Sequence, residues 1–328
     1  MISAVGGQVR PEDLGKTLMH EHLLCAMGGW ELDTSAPGPD RRDLLAMCVD
    51  RVQELQAHGY RAMVDPCPND LGRDLDLMGE VSARTGFTII AATGMYNDTG
   101  GTNAYWRMKA LLNADFVDRL ADLMIAELTD GVGGIRPGII KLATGYGAMT
   151  DYERKVFAAG AKAAQATGTP ITTHTEGVLG DEQLALLREH GVAPQGVIIG
   201  HSCQSTDAAY LDGLAAAGAY LGFDRFGIEE ICSDGHRIES LLRLFRQGAS
   251  EQLIVSQDTV WCLRGAALPP AMAEVMARHE PLHVERVIIP RLREAGLSQA
   301  DIDTLLIANP RRFFEQAHIH AAGACRGH

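Results

Sequence analysis

Residues 139–145 read IIKLATG, an apolar run that is interrupted by a single lysine. Its length and near-continuous hydrophobicity are typical of a parallel strand that is covered on both faces. Seven further segments have the same character, and they lie at residues 17–24 (TLMHEHLL), 61–67 (RAMVDPC), 88–96 (TIIAATGMY), 171–177 (ITTHTEG), 197–203 (VIIGHSC), 220–227 (YLGFDRFG) and 253–260 (LIVSQDTV). The chain therefore has eight candidate buried strands.

Helical patterns fill the gaps between these segments. Residues 42–58 place their leucines and valines on one face ahead of Gly59, and Thr150 with Glu153 forms a capping box at the start of residues 152–167. Strands that alternate with helices allow a (β/α)8 barrel or a doubly wound open sheet, and the count of eight favours the barrel. We predict an α/β fold, a (β/α)8 TIM barrel.

No low-complexity linker or shift in composition divides the 328 residues, so we predict one domain over residues 1–328. Residues 265–290 (GAALPPAMAEVMARHEPLHVERVIIP) form a long segment after the last predicted strand. We expect this segment to pass over the barrel mouth and to cover the substrate.

Composition restricts the class of partner. Hydrophobic residues make up 46% and charged residues 22%, as in an ordinary globular protein. The net charge is −13 with no cationic tract, which disfavours a nucleic-acid partner. No apolar run is long enough to span a membrane, and the N-terminus lacks the pattern of a secretory signal. The seven cysteines include no CxxC pair, so we expect buried free thiols. We also expect a cytoplasmic protein that acts on a small-molecule substrate.

His20 and His22 lie two residues apart in the first predicted strand. The side-chain period of a strand is two, so both rings should face the same side. A single buried histidine is usually a hydrogen-bonded core residue, but two in one place leave two polar rings that a metal ion would satisfy together. For Glu21, between them, we expect a structural hydrogen bond in the helix layer.

Lys141 lies in the middle of the fourth predicted strand, where an unpaired amine is costly. It could form a salt bridge inside the barrel, or it could take up carbon dioxide as a carbamate that bridges two cations. His174, His201 and Asp258 lie near the ends of the fifth, sixth and eighth predicted strands, at the rim where barrel enzymes carry out their chemistry. Together with the first-strand histidines, these are too many ligands for one tetrahedral zinc and suit two metals.

Several motifs carry a family resemblance: HEH at 20–22, IIKLATG around Lys141, THTEG around His174, IGHS around His201, GFDRFG around Arg225, SQD at Asp258 and NPRRFF at 309–314. In this order they resemble the phosphotriesterase-like family of the amidohydrolase superfamily. The resemblance runs from about residue 14 to residue 314. It implies a distorted barrel with two divalent metal ions, commonly zinc, and a homodimer.

The resemblance also implies a role for each ligand. The more buried metal would be held by His20, His22, Asp258 and carbamylated Lys141, and the more exposed metal by His174, His201 and the same carbamate. A hydroxide would bridge the two metals, and Asp258 would orient it and pass its proton to the leaving group.

Tyr96 and Arg225 bear on the substrate. In the lactonase branch of the family, a tyrosine and an arginine at matching positions face the metals, so a lactone or related carboxylic ester is favoured. The alternatives are a rim aromatic for Tyr96 and a salt bridge to Asp224 or Glu229 for Arg225. Two other bonds remain open, namely the amide of a small N-acyl compound and a phosphotriester, the substrate of an aryldialkylphosphatase.

Two classes outside hydrolysis are disfavoured. A non-catalytic binding protein on a barrel scaffold would be expected to lack a ligand, and none of the predicted ligands is missing. A nucleotide enzyme is disfavoured because the chain has neither a GxGxxG motif after the first strand nor a P-loop. One departure from the family is Gln257, where many relatives have histidine, and we expect its side chain to point away from the metals. In residues 97–109, aromatics and cations could hold an anionic substrate or could simply be solvated.

Overall fold

The computed structural model describes residues 1–35, 38–100, 104–265 and 280–324. Eight parallel strands form one sheet in which each strand pairs with the next along the chain. They are β1 Lys16–Leu18, β2 Tyr60–Asp65, β3 Thr88–Gly94, β4 Ile139–Ala143, β5 Ile171–His174, β6 Val197–Ile199, β7 Tyr220–Phe223 and β8 Leu253–Val255. A short antiparallel hairpin precedes β1.

The sheet closes between β1 and β8 through the irregular segments that follow these strands. The amide of Asp258 donates to the carbonyl of His20 over 3.1 Å. Further along, Cys25–Ala26 pairs in parallel with Leu263–Arg264. The predicted (β/α)8 barrel is thereby confirmed, and its distortion lies at this closure.

Helices connect the strands on the outside of the barrel. They are α1 Arg41–Ala57, α2 Leu75–Thr85, α3 Ala104–Leu112, α4 Phe116–Thr129, α5 Asp151–Thr167, α6 Gly180–Glu189, α7 Ala208–Ala216, α8 Asp234–Leu244, α9 Ile289–Glu294, α10 Gln299–Asp303 and α11 Asn309–Ala324. The capping box of Thr150 and Glu153 begins α5 as predicted. In the described part of the chain, no helix has the length and apolar character needed to cross a membrane.

The strand alternation divides the core into an inner and an outer layer. The inner cluster includes Ala62, Val64, Ile90, Ala92, Ile139, Ile198, Tyr220, Ile254, Phe313 and Phe314. Ile140, on the opposite face of β4, packs in the outer cluster against the helices. Because side chains on a strand repeat every second residue, Lys141 lies on the same face as Ile139. The amine of Lys141 is therefore inside the barrel, above an apolar layer.

The first strand is shorter than predicted. β1 ends at Leu18, so the prediction that His20 and His22 lie within it is wrong. Beyond Leu18 the chain bends towards the segment after β8, and the amide of His22 donates to the carbonyl of Thr259 over 2.9 Å. This bend forms the barrel closure and brings both histidines next to that segment.

Most of the segment predicted to cover the barrel mouth (265–290) lies outside the described residues, which omit 266–279. Its last part, Val284–Ile288, is a helical turn that continues into α9 and belongs to the outer layer. The side-chain amide of Gln257 donates through its Nε2 atom to the carbonyl of Pro281. The backbone amide of Val284 donates to Gln257 Oε1 over 2.8 Å. Gln257 therefore points towards this helix.

Candidate metal centre

The predicted ligands lie in or just beyond the carboxyl halves of the strands. Lys141 is the central residue of β4 and His174 is the last residue of β5. His201 and Asp258 follow β6 and β8 in left-handed backbone conformations, with φ of 59° and 52°. Non-glycine residues seldom adopt this conformation, and it is concentrated at functional sites.

Three imidazoles surround the carboxylate of Asp258. The Nε2 atoms of His20 and His22 lie 3.5 and 3.3 Å from Oδ1, and the Nε2 atom of His201 lies 3.7 Å from Oδ2. Burial raises the pKa of Asp258, but the nearby His20, His201 and Arg225 outweigh it and hold this pKa well below its usual value. The carboxylate is therefore ionised and faces three ring nitrogens.

Asp224 orients two of these rings from behind. Its Oδ2 is 2.9 Å from His20 Nδ1 and its Oδ1 is 3.0 Å from His201 Nδ1. The His201 amide also donates to Oδ1 over 2.9 Å. A carboxylate on Nδ1 fixes the proton there and leaves Nε2 free to bind a cation. From the sequence, Asp224 is expected only as a partner of Arg225; the missed signal is a buried acid directly after β7.

His22 differs from the other two rings because its Nδ1 makes no hydrogen bond among the described residues. The nearest carboxylate to this atom in the structure is that of Asp65, with Oδ1 at 3.4 Å, and it already accepts the amide of Cys67 over 3.1 Å. Burial lowers the pKa of His22, but the carboxylates of Asp258 and Asp65 outweigh it and raise this pKa well above its usual value. In the metal-free protein His22 thus carries a proton.

Lys141 reaches the same cluster from β4. Its Nζ is 3.2 Å from His20 Nε2 and 3.3 Å from the carbonyl oxygen of Thr173, which accepts its hydrogen bond. The residue is 2% exposed. Burial lowers the pKa of this amine to about 8, although Asp258 and Asp224 oppose the shift. Within the described residues no carboxylate pairs directly with the amine, so the salt bridge considered above does not form.

His174 lies on the outer side of the cluster. Its ring centroid is 4.6 Å from that of His201, and its Nε2 is 3.0 Å from Glu176 Oε1. The hydroxyl of Tyr96 lies 3.5 Å from the His174 ring nitrogens, beside the cluster. Burial lowers the pKa of His174 to about 4, which leaves the ring neutral. Glu176, inside the THTEG motif, had no role in the sequence analysis.

Arg225 faces the centre and pairs with neither Asp224 nor Glu229. Its Nε donates to Asp258 Oδ2 over 2.8 Å, its NH1 donates to Gln204 Oε1, and its NH1 lies 3.6 Å from Glu176 Oε2. Glu229 instead accepts the amide of Asp234. The side chain of Arg225 is 11% exposed. The guanidinium of Arg225 thus lies between the barrel mouth and the buried carboxylate of Asp258.

The donor set fits divalent metal ions. His20, His201 and Asp258 present ligand atoms that lie within 4.8 Å of one another. The Nδ1 atoms of His20 and His201 hydrogen-bond to Asp224, so the Nε2 atoms of these two rings are available to bind a metal ion. Imidazole and carboxylate ligands are those that zinc and related ions take in hydrolases. The region therefore has the composition and orientation of a metal centre.

Glu21 makes structural hydrogen bonds, as expected, whereas residues 104–109 of the segment 97–109 belong to the helix α3 and not to a loop. The carboxylate of Glu21 accepts the hydroxyl of Ser256 over 2.7 Å and the amide of Gln257 over 3.1 Å, which ties the two closing segments together. On α3, Lys109 lies 4.8 Å from the ring centroid of Tyr105. Residues 101–103 of the predicted loop lie outside the described residues.

A parallel barrel with histidines, a lysine and an aspartate in or just beyond the carboxyl halves of its strands defines a metal-dependent hydrolase of the amidohydrolase type. The model of the Phosphotriesterase family matches residues 1–314, and the chain belongs to that family.

Its relatives cover nearly the whole chain. A phosphotriesterase homology protein of Mycobacterium tuberculosis is 34% identical, over 96% of this chain and 98% of its own. An aryldialkylphosphatase of Saccharolobus solfataricus is 29% identical, over 93% and 96%. The crystal structure of a mutant PTE-like lactonase from Deinococcus radiodurans superposes with a TM-score of 0.90 at 34% identity, over 96% and 100%.

Proposed function

We propose that the protein hydrolyses a lactone or a related carboxylic ester at a centre of two divalent metal ions, most simply zinc. The observation that carries this proposal is the convergence of three imidazole Nε2 atoms on the Asp258 carboxylate, 3.3 to 3.7 Å away. When bound, the two ions would supply a bridging hydroxide at neutral pH and would polarise the substrate carbonyl.

The ligands divide between the two ions by depth. The more buried ion would take His20, His22, Asp258 and Lys141, and the more exposed ion would take His174, His201 and Lys141. The 5.0 Å contact between the rings of Tyr96 and His174 supports this assignment of the more exposed ion, since Tyr96 would contact the substrate.

Lys141 would serve both ions as a carbamate. Carbamate formation requires an uncharged amine, and burial lowers the pKa of Lys141 to about 8. The amine also lies 3.2 Å from His20 Nε2, so the end of the lysine side chain already reaches one of the proposed metal ligands. In the carbamate form, a metal ion between the carbamate and this nitrogen would replace the direct contact. In this form Lys141 would add a negative charge beside His20, His174 and His201, whose pKa values are lowered by burial so that their rings are neutral.

Asp258 and Arg225 would handle charge during the reaction. Asp258 is ionised and would hold the nucleophile in orientation before it accepts and transfers a proton to the leaving alkoxide. Arg225 lies 2.8 Å from Asp258 and borders the mouth, so it can donate hydrogen bonds to an ester oxygen. Tyr96 would contact the substrate beside it.

A phosphotriester is the second candidate. It is favoured by the aryldialkylphosphatase among the relatives, and the same nucleophile can attack phosphorus or carbon. Tyr96 and Arg225 favour the lactone, because these two residues match the lactonase branch. The amide of a small N-acyl compound is the third bond to include in any screen.

We also propose that the protein is a homodimer. The helix α3 exposes four large apolar side chains: Tyr105 at 60%, Met108 at 48%, Leu111 at 74% and Leu112 at 70%. Apolar side chains clustered on one short helix are typical of a protein contact, and twofold pairing of identical faces is the commonest arrangement.

The test is a hydrolysis screen of the zinc-loaded full-length protein over lactones, N-acyl amides and organophosphate esters. We expect lactones to give the highest kcat/KM. The variant Asp258→Asn should lose about 10²- to 10⁴-fold in kcat while it keeps its fold, because the proton acceptor is removed. Wild-type turnover in that variant would contradict the mechanism. If the wild-type protein instead hydrolysed organophosphates or amides with the highest kcat/KM, the proposed lactone substrate would be wrong.

A further inference from the structure

A second group of ligand-type side chains lies behind His22, on the side away from Asp258. Three buried residues, His22, Cys25 and Cys67, offer ligand atoms that all lie within 4.8 Å of one another. The Nδ1 atom of His22 faces this side, because it lies 3.4 Å from Asp65 Oδ1, which accepts the amide hydrogen of Cys67. The two sulfurs are 4.0 Å apart. We call Cys25, Cys67 and His22 the thiol pocket. None of the roles assigned above uses the two thiols or this nitrogen.

The chain holds both cysteines in place. Cys25 begins the short strand that pairs with Leu263–Arg264 at the barrel closure. Cys67 lies in the turn after β2, between Pro66 and Pro68, whose rings restrict the backbone. Its amide donates to Asp65 Oδ1 over 3.1 Å and its thiol donates to the carbonyl of Leu71 over 3.1 Å. The thiol pocket is therefore built on two rigid segments.

The spacing suits a tetrahedral cation. Zinc–sulfur bonds of about 2.3 Å at the tetrahedral angle put two sulfurs about 3.8 Å apart, close to the 4.0 Å between Cys25 and Cys67. His22 Nδ1 is buried and makes no hydrogen bond among the described residues, so this nitrogen can serve as a metal ligand. An oxygen of Asp65 lies 3.4 Å from that nitrogen and is available as a further ligand.

The donor set also restricts the class of ion. Two sulfurs and an imidazole nitrogen select thiophilic cations such as zinc, cadmium or copper(I). Magnesium and calcium require oxygen ligands and are disfavoured. The occupant should therefore be a soft or borderline metal ion, not one of the hard cations.

We propose that the thiol pocket is a third cation site, specific for a thiophilic ion, that is coupled to the metal centre through the ring of His22. The coupling rests on the proposed metal centre, whereas the site itself does not. The ring has one nitrogen towards each site, with Nε2 3.3 Å from Asp258 Oδ1. A neutral imidazole offers a single lone pair, so ions at the two positions compete for it.

Proton accounting gives the direction of this coupling. As a divalent ion enters, two S–H bonds break, two sulfur–metal bonds form and two protons pass to water. The Nδ1 atom of His22 must also lose its proton before it can bind the ion. When Nε2 binds the catalytic ion instead, His22 keeps this proton on Nδ1. A thiophilic ion in the thiol pocket therefore weakens the hold on the more buried catalytic ion, and an excess of it inhibits the enzyme.

The experiment is a cadmium titration of the full-length protein, stripped of metal under reducing conditions and reloaded with two equivalents of zinc. Thiolate-to-cadmium charge transfer gives an ultraviolet absorption that ligands without sulfur do not give. Elemental analysis after dialysis counts both metals per chain. The variants are Cys25→Ala, Cys67→Ala and, as a matched control, Cys48→Ala, which removes a buried thiol in α1 outside the thiol pocket.

We expect the wild-type protein and Cys48→Ala to bind about one equivalent of cadmium with the thiolate absorption, and to release zinc as it binds. Cys25→Ala and Cys67→Ala should both lack that equivalent and that absorption. Thermal unfolding shows which of the two variants folds. Because the two cysteines lie on different segments, one folded variant is enough to decide whether the thiol pocket binds cadmium. No thiolate absorption in the wild type, or an unchanged one in the folded pocket variants, would overturn the third site. Failure of the stripped protein to bind zinc, with the absorption intact, would instead contradict the metal centre.

Discussion

Arg225 donates its Nε–H to Asp258 Oδ2 over 2.8 Å, inside a site that three histidines also face. This contact joins the residue that borders the barrel mouth to the residue that would hold the nucleophile. Burial lowers the pKa of Arg225, but Asp258 outweighs it and raises that pKa above its usual value, so the guanidinium stays charged. In the proposed mechanism, this one hydrogen bond would link substrate recognition by Arg225 to proton transfer by Asp258.

Replacement of Arg225 by alanine should impair lactone hydrolysis more than phosphotriester hydrolysis. A charge-assisted hydrogen bond contributes about 1.5–3 kcal/mol, so kcat/KM for lactones should fall about 10- to 100-fold. The measurement is steady-state kinetics on both substrates, with Arg42→Ala, at an exposed arginine of α1, as a control. A larger loss on the phosphotriester would argue against the lactonase assignment.

Replacement of Asp224 by asparagine should weaken metal binding without unfolding the barrel. The amide cannot accept hydrogen bonds at both oxygen positions, so the Nδ1–H of either His20 or His201 loses its acceptor. Loss of such an orienting group typically costs 10- to 100-fold in metal affinity. Competition with a chelator gives the affinity. An unchanged affinity would remove Asp224 from the support of the metal centre.

Metal binding should release protons and should strengthen as the pH rises. In the metal-free protein the pKa of His22 is raised well above 6.5 and that of Lys141 is lowered to about 8, so both groups carry protons near pH 7. Both must lose them to act as ligands, and affinity should rise from pH 6.5 through 8. Calorimetry of zinc binding in buffers of different ionisation enthalpy counts the protons. Affinity that is independent of pH in this range would be inconsistent with these ligands.

Substitution of Leu111 and Leu112 by glutamate should convert the proposed dimer into monomers. Burying two charges against an identical face is unfavourable, whereas exposed positions on a monomer tolerate them. Sedimentation velocity measures the mass in solution, and Val132→Glu, at an exposed residue away from α3, is the matched control. A double variant that sediments as the wild type would place the dimer contact elsewhere.

The sequence predicts the barrel well because its strands are apolar on both faces, and residues such as Lys141 and His174 stand out as polar interruptions of that pattern. It predicts strand ends poorly, since the departure of His20 and His22 from β1 depends on pairing with a segment far along the chain. Asp224 and Glu176 were missed as site residues for a related reason. An acid next to a strand end looks like any turn residue until the fold brings a histidine to it.

Metal content of the Lys141→Met variant tests the central claim most directly. Methionine keeps about the length and the apolar stem of the lysine side chain but has no amine that could form a carbamate, so the proposed bridge between the two ions would be lost. Elemental analysis of zinc-reconstituted protein should give about two ions per chain for the wild type and for the exposed-lysine control Lys162→Met, and far fewer for Lys141→Met with loss of turnover. Two ions per chain and full activity in Lys141→Met would contradict the account.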